Sequence, residues 1–293
     1  FSPNNQHLLL SRMYAYEKLE NYEAAMHDVD TFMKMNPRNT LLWYDKGRLY
    51  LSTQDTIAAE NAFNQLIQAD SSSFVGWSAR GLLKLQRKDY TGAYADYSKA
   101  IKLKSDFYGD YINRGIINVE QNRYMEALAD YDRAIQLYPN SLSAYLNRAI
   151  LRSNLGDNNN ALGDFKIVLG MDSTIMEARY SKALLEMKLN NYQEAIADYQ
   201  IIINKHPYFL PAYWGVAEAY GALNNMREAH QYRQKAHDLE TNKDNIRDKI
   251  QQDLDAKNQI AADIPESKTG RRTEIFNRYA AQNVEDNQTE SRY

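Results

Sequence analysis

Seven alanines recur 34 residues apart with no insertion or deletion between them: Ala25, Ala59, Ala93, Ala127, Ala161, Ala195 and Ala229. A fixed period of that length requires a chain built from like helix–turn–helix units. Such a unit cannot bury its apolar face alone, so neighbours stack into a solenoid that presents a long, curved surface. An architecture of this kind is suited to recognition rather than to chemistry.

Other columns keep the same period. Twelve residues before each alanine stand Met13, Gly47, Gly81, Gly115, Ala149, Ala183 and Ala217, nearly all small. Four residues after it stand Val29, Phe63, Tyr97, Tyr131, Phe165, Tyr199 and Arg233. Seven after it stand Phe32, Leu66, Ala100, Ala134, Val168, Ile202 and Ala236. Small residues on one helix and rings or branched chains on the other indicate a close helix crossing. Ala127→Leu is expected to overpack it at a cost of roughly 1–3 kcal/mol. Four residues before each alanine, Asn21, Asp55, Asp89, Arg123, Asp157, Asn191 or Asn225 should open the second helix. All but Arg123 are good N-caps, and Asn191 with Glu194 and Asn225 with Glu228 have capping-box spacing.

These columns resemble the tetratricopeptide repeat family, whose unit has small residues at positions 8, 20 and 27, aromatics at 4 and 24, and proline at 32. The likeness covers residues 6 to about 240, as repeats 6–39, 40–73, 74–107, 108–141, 142–175, 176–209 and 210–241. Position 32 holds Pro37, Pro139 and Pro207 but Ser71, Ser105 and Ser173; position 4 departs from an aromatic at Leu9 and Arg179. The resemblance implies an all-α, right-handed superhelical solenoid, with a first helix over positions 1–14 and a second over 17–30 of each unit. It also implies a concave surface lined by first-helix positions 2, 5, 6, 9, 12 and 13.

Position 5 reads Leu10, Tyr44, Ser78, Ile112, Leu146, Tyr180 and Trp214, and position 9 reads Tyr14, Arg48, Leu82, Ile116, Ile150, Leu184 and Glu218. This apolar stripe either receives an extended peptide or amphipathic helix, or forms the contact between neighbouring first helices. Position 6 holds Asn113 and Asn147 in consecutive repeats, each followed by Arg and a small residue. An amide can pair with a peptide backbone as both donor and acceptor, and the pair is similar to the asparagine ladder of O-linked N-acetylglucosaminyltransferases. The expected peptide-binding set is Tyr44, Ile112, Asn113, Ile116, Leu146, Asn147, Ile150, Tyr180, Leu184 and Trp214. No repeat pairs Lys at position 5 with Asn at position 9, which disfavours a chaperone-type carboxylate clamp.

Basic residues at position 7 (Arg12, Arg80, Arg114, Arg148, Lys182) accompany aspartates at position 23 (Asp28, Asp96, Asp130, Asp164, Asp198) in five repeats. They read as structural ion pairs across each hairpin rather than as a ligand ladder. The five histidines have no metal-ligand spacing, and the run from Gly156 to Asn160 falls on an inter-helix turn and lacks the carboxylates of a calcium loop. There is no cysteine and no glycine-rich phosphate loop, and a net charge of −3 gives no nucleic-acid footprint. No apolar run approaches the roughly 20 residues of a membrane helix.

Pro3 lies 34 residues before Pro37, so residues 1–5 are expected to end a preceding repeat of a longer array. After Glu240 the period stops. Residues 242–262 are expected to form a polar capping helix, and 263–293 a linker and a tail that is either flexible or docks through Ile275, Phe276 and Tyr279. Segments such as 109–118 and 206–213 are similar to long exported tetratricopeptide proteins of Bacteroidetes, which implies a cell-envelope location. The expected function is a non-catalytic scaffold for a protein or peptide partner, with no metal or cofactor. The alternatives are a structural subunit of an oligomeric or envelope assembly, or the targeting region of a larger enzyme.

Overall fold

The structure is a computed structural model that describes residues 6–103 and 105–242. The expected leading repeat end (1–5), nearly all of the capping helix (242–262) and the linker and tail (263–293) lie outside the described residues. Fourteen α-helices, and no strand, occur among the described residues. They fall into two compact units, divided after Pro139.

The first unit contains α1 (Gln6–Lys18), α2 (Tyr22–Met35), α3 (Leu42–Ser52), α4 (Thr56–Ala69), α5 (Phe74–Gln86), α6 (Tyr90–Lys102), α7 (Tyr108–Glu120) and α8 (Tyr124–Leu137). The second contains α9 (Leu142–Leu155), α10 (Asn158–Met171), α11 (Met176–Lys188), α12 (Tyr192–Lys205), α13 (Leu210–Ala222) and α14 (Met226–Thr241). Each odd-numbered helix packs on the next even-numbered one as a hairpin. Successive hairpins stack within each unit, so both units are all-α tetratricopeptide solenoid segments. The period therefore predicts the helices to within about two residues.

The small-against-ring columns meet as expected. A Cβ added to Gly47 would collide with the Phe63 ring, and one added to Gly115 would come within 2.6 Å of Tyr131. Ala25, Ala59, Ala93, Ala127, Ala161, Ala195 and Ala229 are all fully buried. The ion pairs form in all five repeats: Arg12–Asp28 at 2.6 Å, Arg80–Asp96 at 2.7 Å, Arg114–Asp130 at 2.5 Å, Arg148–Asp164 at 2.7 Å and Lys182–Asp198 at 2.6 Å. The four arginines each clasp their aspartate with two nitrogens. Where position 23 is Ala62, Lys46 reaches instead to Asp30 of the preceding repeat, at 2.7 Å.

Each hairpin turns through one left-handed residue: Glu20, Gln54, Lys88, Asn122, Gly156, Asn190 or Asn224, with φ from +56° to +85°. The next residue's N–H then donates to the carbonyl five positions back, at 2.8–2.9 Å in every repeat. This is a Schellman closure, which satisfies carbonyls left open at the end of the first helix. It also delivers the expected N-cap residue to the start of the second helix, and α2, α4, α6, α8, α10, α12 and α14 all begin directly after it.

Asn21, Asp55 and Asp89 accept the capping hydrogen bond. Asp157, Asn191 and Asn225 do not, and the two expected capping boxes are absent. In a capping box the glutamate accepts from the N-cap N–H, but the N–H groups of Asn191 and Asn225 already donate to Glu186 and Tyr220 in the Schellman closure. Asp157 instead accepts from the Asn160 side chain.

Candidate protein-interaction surface

In the first unit, the expected site residues separate by burial. Ile112 is fully buried and Asn113 nearly so, and the Asn113 amide donates to the Tyr97 hydroxyl at 3.0 Å. Neither is available to a partner's backbone. Position 6 of a first helix points at the position 24 ring of the preceding repeat, and the same relation places Gly215 against Tyr199. Tyr44 is half-buried, tilted against Phe63 with ring centroids 6.3 Å apart. Burial pushes its hydroxyl up to about 12. Ile116 is also half-buried.

A polar cluster surrounds Tyr44, at positions 6, 9 and 12. Arg48 binds Glu17 at 2.7 Å and lies 5.9 Å from the ring centroids of both Tyr14 and Tyr44. Asp45 accepts from the Tyr14 hydroxyl at 3.5 Å. Burial holds the Asp45 carboxyl up at about 6, and Glu17 pushes the same way, against the pull of Arg48 and the Tyr14 hydrogen bond. The site list from sequence missed this cluster. Its one signal was Arg48 interrupting an otherwise apolar position 9 in these repeats.

In the second unit, Leu146 is buried in a core with Ala149, Ala161 and Phe165, and Ile150 packs half-buried against that core. Leu146 is therefore a packing residue, in a core drawn from α9, α10 and α11. Asn147 is half-buried. On α11, Tyr180 is half-buried between Tyr199, at 6.0 Å, and the edge of Phe209, at 5.2 Å. One turn further along α11, Leu184 is 48% exposed. On α13, Trp214 is half-buried and meets the His237 ring edge-on at 5.0 Å.

Helix α11 lies beside both α9 and α13. Ile150, Tyr180 with Leu184, and Trp214 therefore sit on three successive first helices, rings partly covered and Leu184 open. Apolar area covered on such a face would contribute about 25 cal/mol per Å², and ring edges carry their own geometric preference. Among the described residues no group of three His, Asp or Glu could hold a metal ion. No helix there is long and apolar enough to cross a membrane.

The chain is similar to solved structures that share this geometry. PilW, a type IV pilus biogenesis factor, superposes with a TM-score of 0.61 at 18% identity, over 71% of this chain and 96% of that one. YrrB, described as a tetratricopeptide protein with an unusual peptide-binding site, gives 0.56 at 19% identity, over 63% and 95%. A tetratricopeptide repeat protein of Parabacteroides merdae gives 0.56 at 17% identity, over 83% and 96%. At such identities the likeness is one of fold. No functionally characterised sequence relative matches. Tetratricopeptide repeat profiles match residues 11–74, 44–107 and 146–208, and residues 111–141. With its repeat columns, hairpins and stacking all of that kind, the chain belongs to the tetratricopeptide repeat family.

Proposed function

We propose that this protein is a non-catalytic scaffold that holds an extended segment or amphipathic helix of a partner protein on the first-helix face of its second unit. Tyr180 and Leu184 would receive the guest, with Ile150 and Trp214 on the flanking helices. The observation that carries this reading is Leu184. It is a large apolar side chain left 48% exposed one turn from a half-buried tyrosine, in the middle first helix of the unit. Fold similarity to a protein described as having a peptide-binding site supports the reading.

The groove set is accordingly narrower than the sequence column. Ile112, Asn113 and Leu146 hold repeats together, while Tyr44 and Ile116 remain half-exposed on the first unit.

The test is selection of binders from a displayed random-peptide library on the whole chain, followed by affinity measurements with two variants. Leu184→Glu should weaken the selected peptides by at least about tenfold, roughly 1.4 kcal/mol, with the helical circular dichroism unchanged. Lys166→Glu, on the exposed face of α10, should not. Peptides that bind Leu184→Glu as well as the parent would place recognition on another face.

A further inference from the structure

Two of the carboxylates buried in the first unit stand outside the ladder of ion pairs. Asp110, near the start of α7, is fully buried. The Ser78 hydroxyl, from α5 in the preceding repeat, donates to its Oδ2 at 2.7 Å. The Ser105 hydroxyl, from the segment before α7, donates to the same oxygen at 2.6 Å. Among the described residues Oδ1 has no hydrogen-bond partner. The other groups whose charge reaches Asp110 are Arg114 on α7 and Tyr97 on α6. Other repeats place Leu8, Leu42, Gly76, Ala144, Ala178 and Ala212 at this position, so the carboxylate occupies a site built for apolar or small residues.

Asp45 repeats the situation where α3 meets α1. It is 9% exposed and faces Tyr14 and Glu17 from α1 and Arg48 and Tyr44 on its own helix. The short contact of Arg48 goes to Glu17, which leaves Asp45 4.0 Å from the guanidinium. Each carboxylate thus lies between consecutive repeats, taken out of water, with Asp45 held only at 4.0 Å from Arg48 and Asp110 bonded only to two hydroxyls. A buried charge so placed is costly, and the neutral acid much less so.

We propose that Asp45 and Asp110 make two inter-repeat joints of the first unit acid-tightened: ionised, the carboxylates loosen the contacts α1–α3 and α5–α7; protonated, they lock them. Burial raises both carboxyls to about 6, above the value of about 3.9 for an unfolded aspartate. Between those values the folded state binds more protons than the unfolded state. Stability at these joints therefore rises as pH falls from neutral towards 4, the reverse of ordinary acid denaturation. From about pH 7.5 to about pH 5, one such site favours the closed joint by about tenfold.

Hydrogen exchange of the whole chain at those two pH values, corrected for the intrinsic chemical rate, tests this. Amides of α5 and α7 should gain about tenfold protection at the lower pH. Asp110→Asn should remove that gain from α5 and α7 while leaving it in α1 and α3, and Asp45→Asn should do the converse. Equal protection at both pH values in the parent, or a gain in α5 and α7 that survives Asp110→Asn, overturns the proposal. If Asp110→Asn does not fold, the carboxyl carbon of Asp110 in the parent chain decides the matter. An NMR midpoint near 6 supports it, and one at or below about 4 overturns it.

Discussion

The Asn113 amide donates a 3.0 Å hydrogen bond to the hydroxyl of Tyr97, sixteen residues earlier, and so ties the first helix of one repeat to the second helix of the repeat before it. Tyr97 is 1% exposed and Asn113 5%, and burial raises the phenol well above its ordinary pKa. A phenol placed there needs a partner, because an unpaired buried polar group costs about 1–3 kcal/mol. Where the preceding ring is Phe63, which has no hydroxyl, position 6 is Ala79, and the two share a core.

Asn113→Ala should therefore destabilise the first unit by about 1–3 kcal/mol, and Tyr97→Phe should leave the amide unpaired at a similar cost. The double variant removes both polar groups and should recover part of the loss. Urea unfolding of the four proteins measures the coupling, expected at about 1–2 kcal/mol. A coupling near zero would mean that the bond does not hold the joint.

That pair also marks where sequence reading stops. The period, the small columns and the pairing of Arg114 with Asp130 are local facts of a 34-residue unit, so they survive translation into structure. Whether a side chain at position 5 or 6 points outward depends on the ring it meets from another helix. Ile112, Asn113 and Leu146 therefore read as groove residues in a column and fold as packing residues. Leu184 stays open, but nothing in its column separates it from Ile150. The left-handed turn was half visible: Asn122, Gly156, Asn190 and Asn224 tolerate positive φ, but Glu20, Gln54 and Lys88 carry no such signal.

Those three unsuited turn residues give a stability prediction. Lys88 adopts φ +62°, where a side chain crowds the backbone and glycine does not. Lys88→Gly should stabilise the chain by about 0.5–1 kcal/mol despite the added freedom of the unfolded state. Gly156 adopts φ +85° in the same role, and Gly156→Ala should cost about 1 kcal/mol. Thermal unfolding of the two variants should shift in opposite directions. Parallel shifts would show that the turn is not strained.

Glycines inside helices divide by what faces them. Gly115 lies against the Tyr131 ring, leaving no room for a methyl group. Gly115→Ala should cost about 1–3 kcal/mol by displacing the ring. Gly163, in the interior of α10, has nothing within 4 Å of an added Cβ. Gly163→Ala should gain about 0.5–1 kcal/mol through helix propensity alone. Measured by denaturant midpoint, the two changes should differ in sign although each adds the same methyl group.

The ion-pair ladder makes the last prediction. Asp130 is 4% exposed, clasped by Arg114 at 2.5 and 3.0 Å and bonded to the Asn118 amide at 2.9 Å. Removing Arg114 alone strands a buried carboxylate, whereas removing both strands no charge and leaves only the neutral Asn118 amide without its partner. Arg114→Met should therefore destabilise by about 3–5 kcal/mol, and adding Asp130→Leu should recover much of that loss rather than deepen it. Losses that simply add would mean that Arg114 and Asp130 do not couple. Recovery would show instead that the ladder's value is register: one helix can slide against the other only by stranding a charge. That would explain why Lys46, with Ala62 in place of an aspartate, turns to Asp30 of the neighbouring repeat.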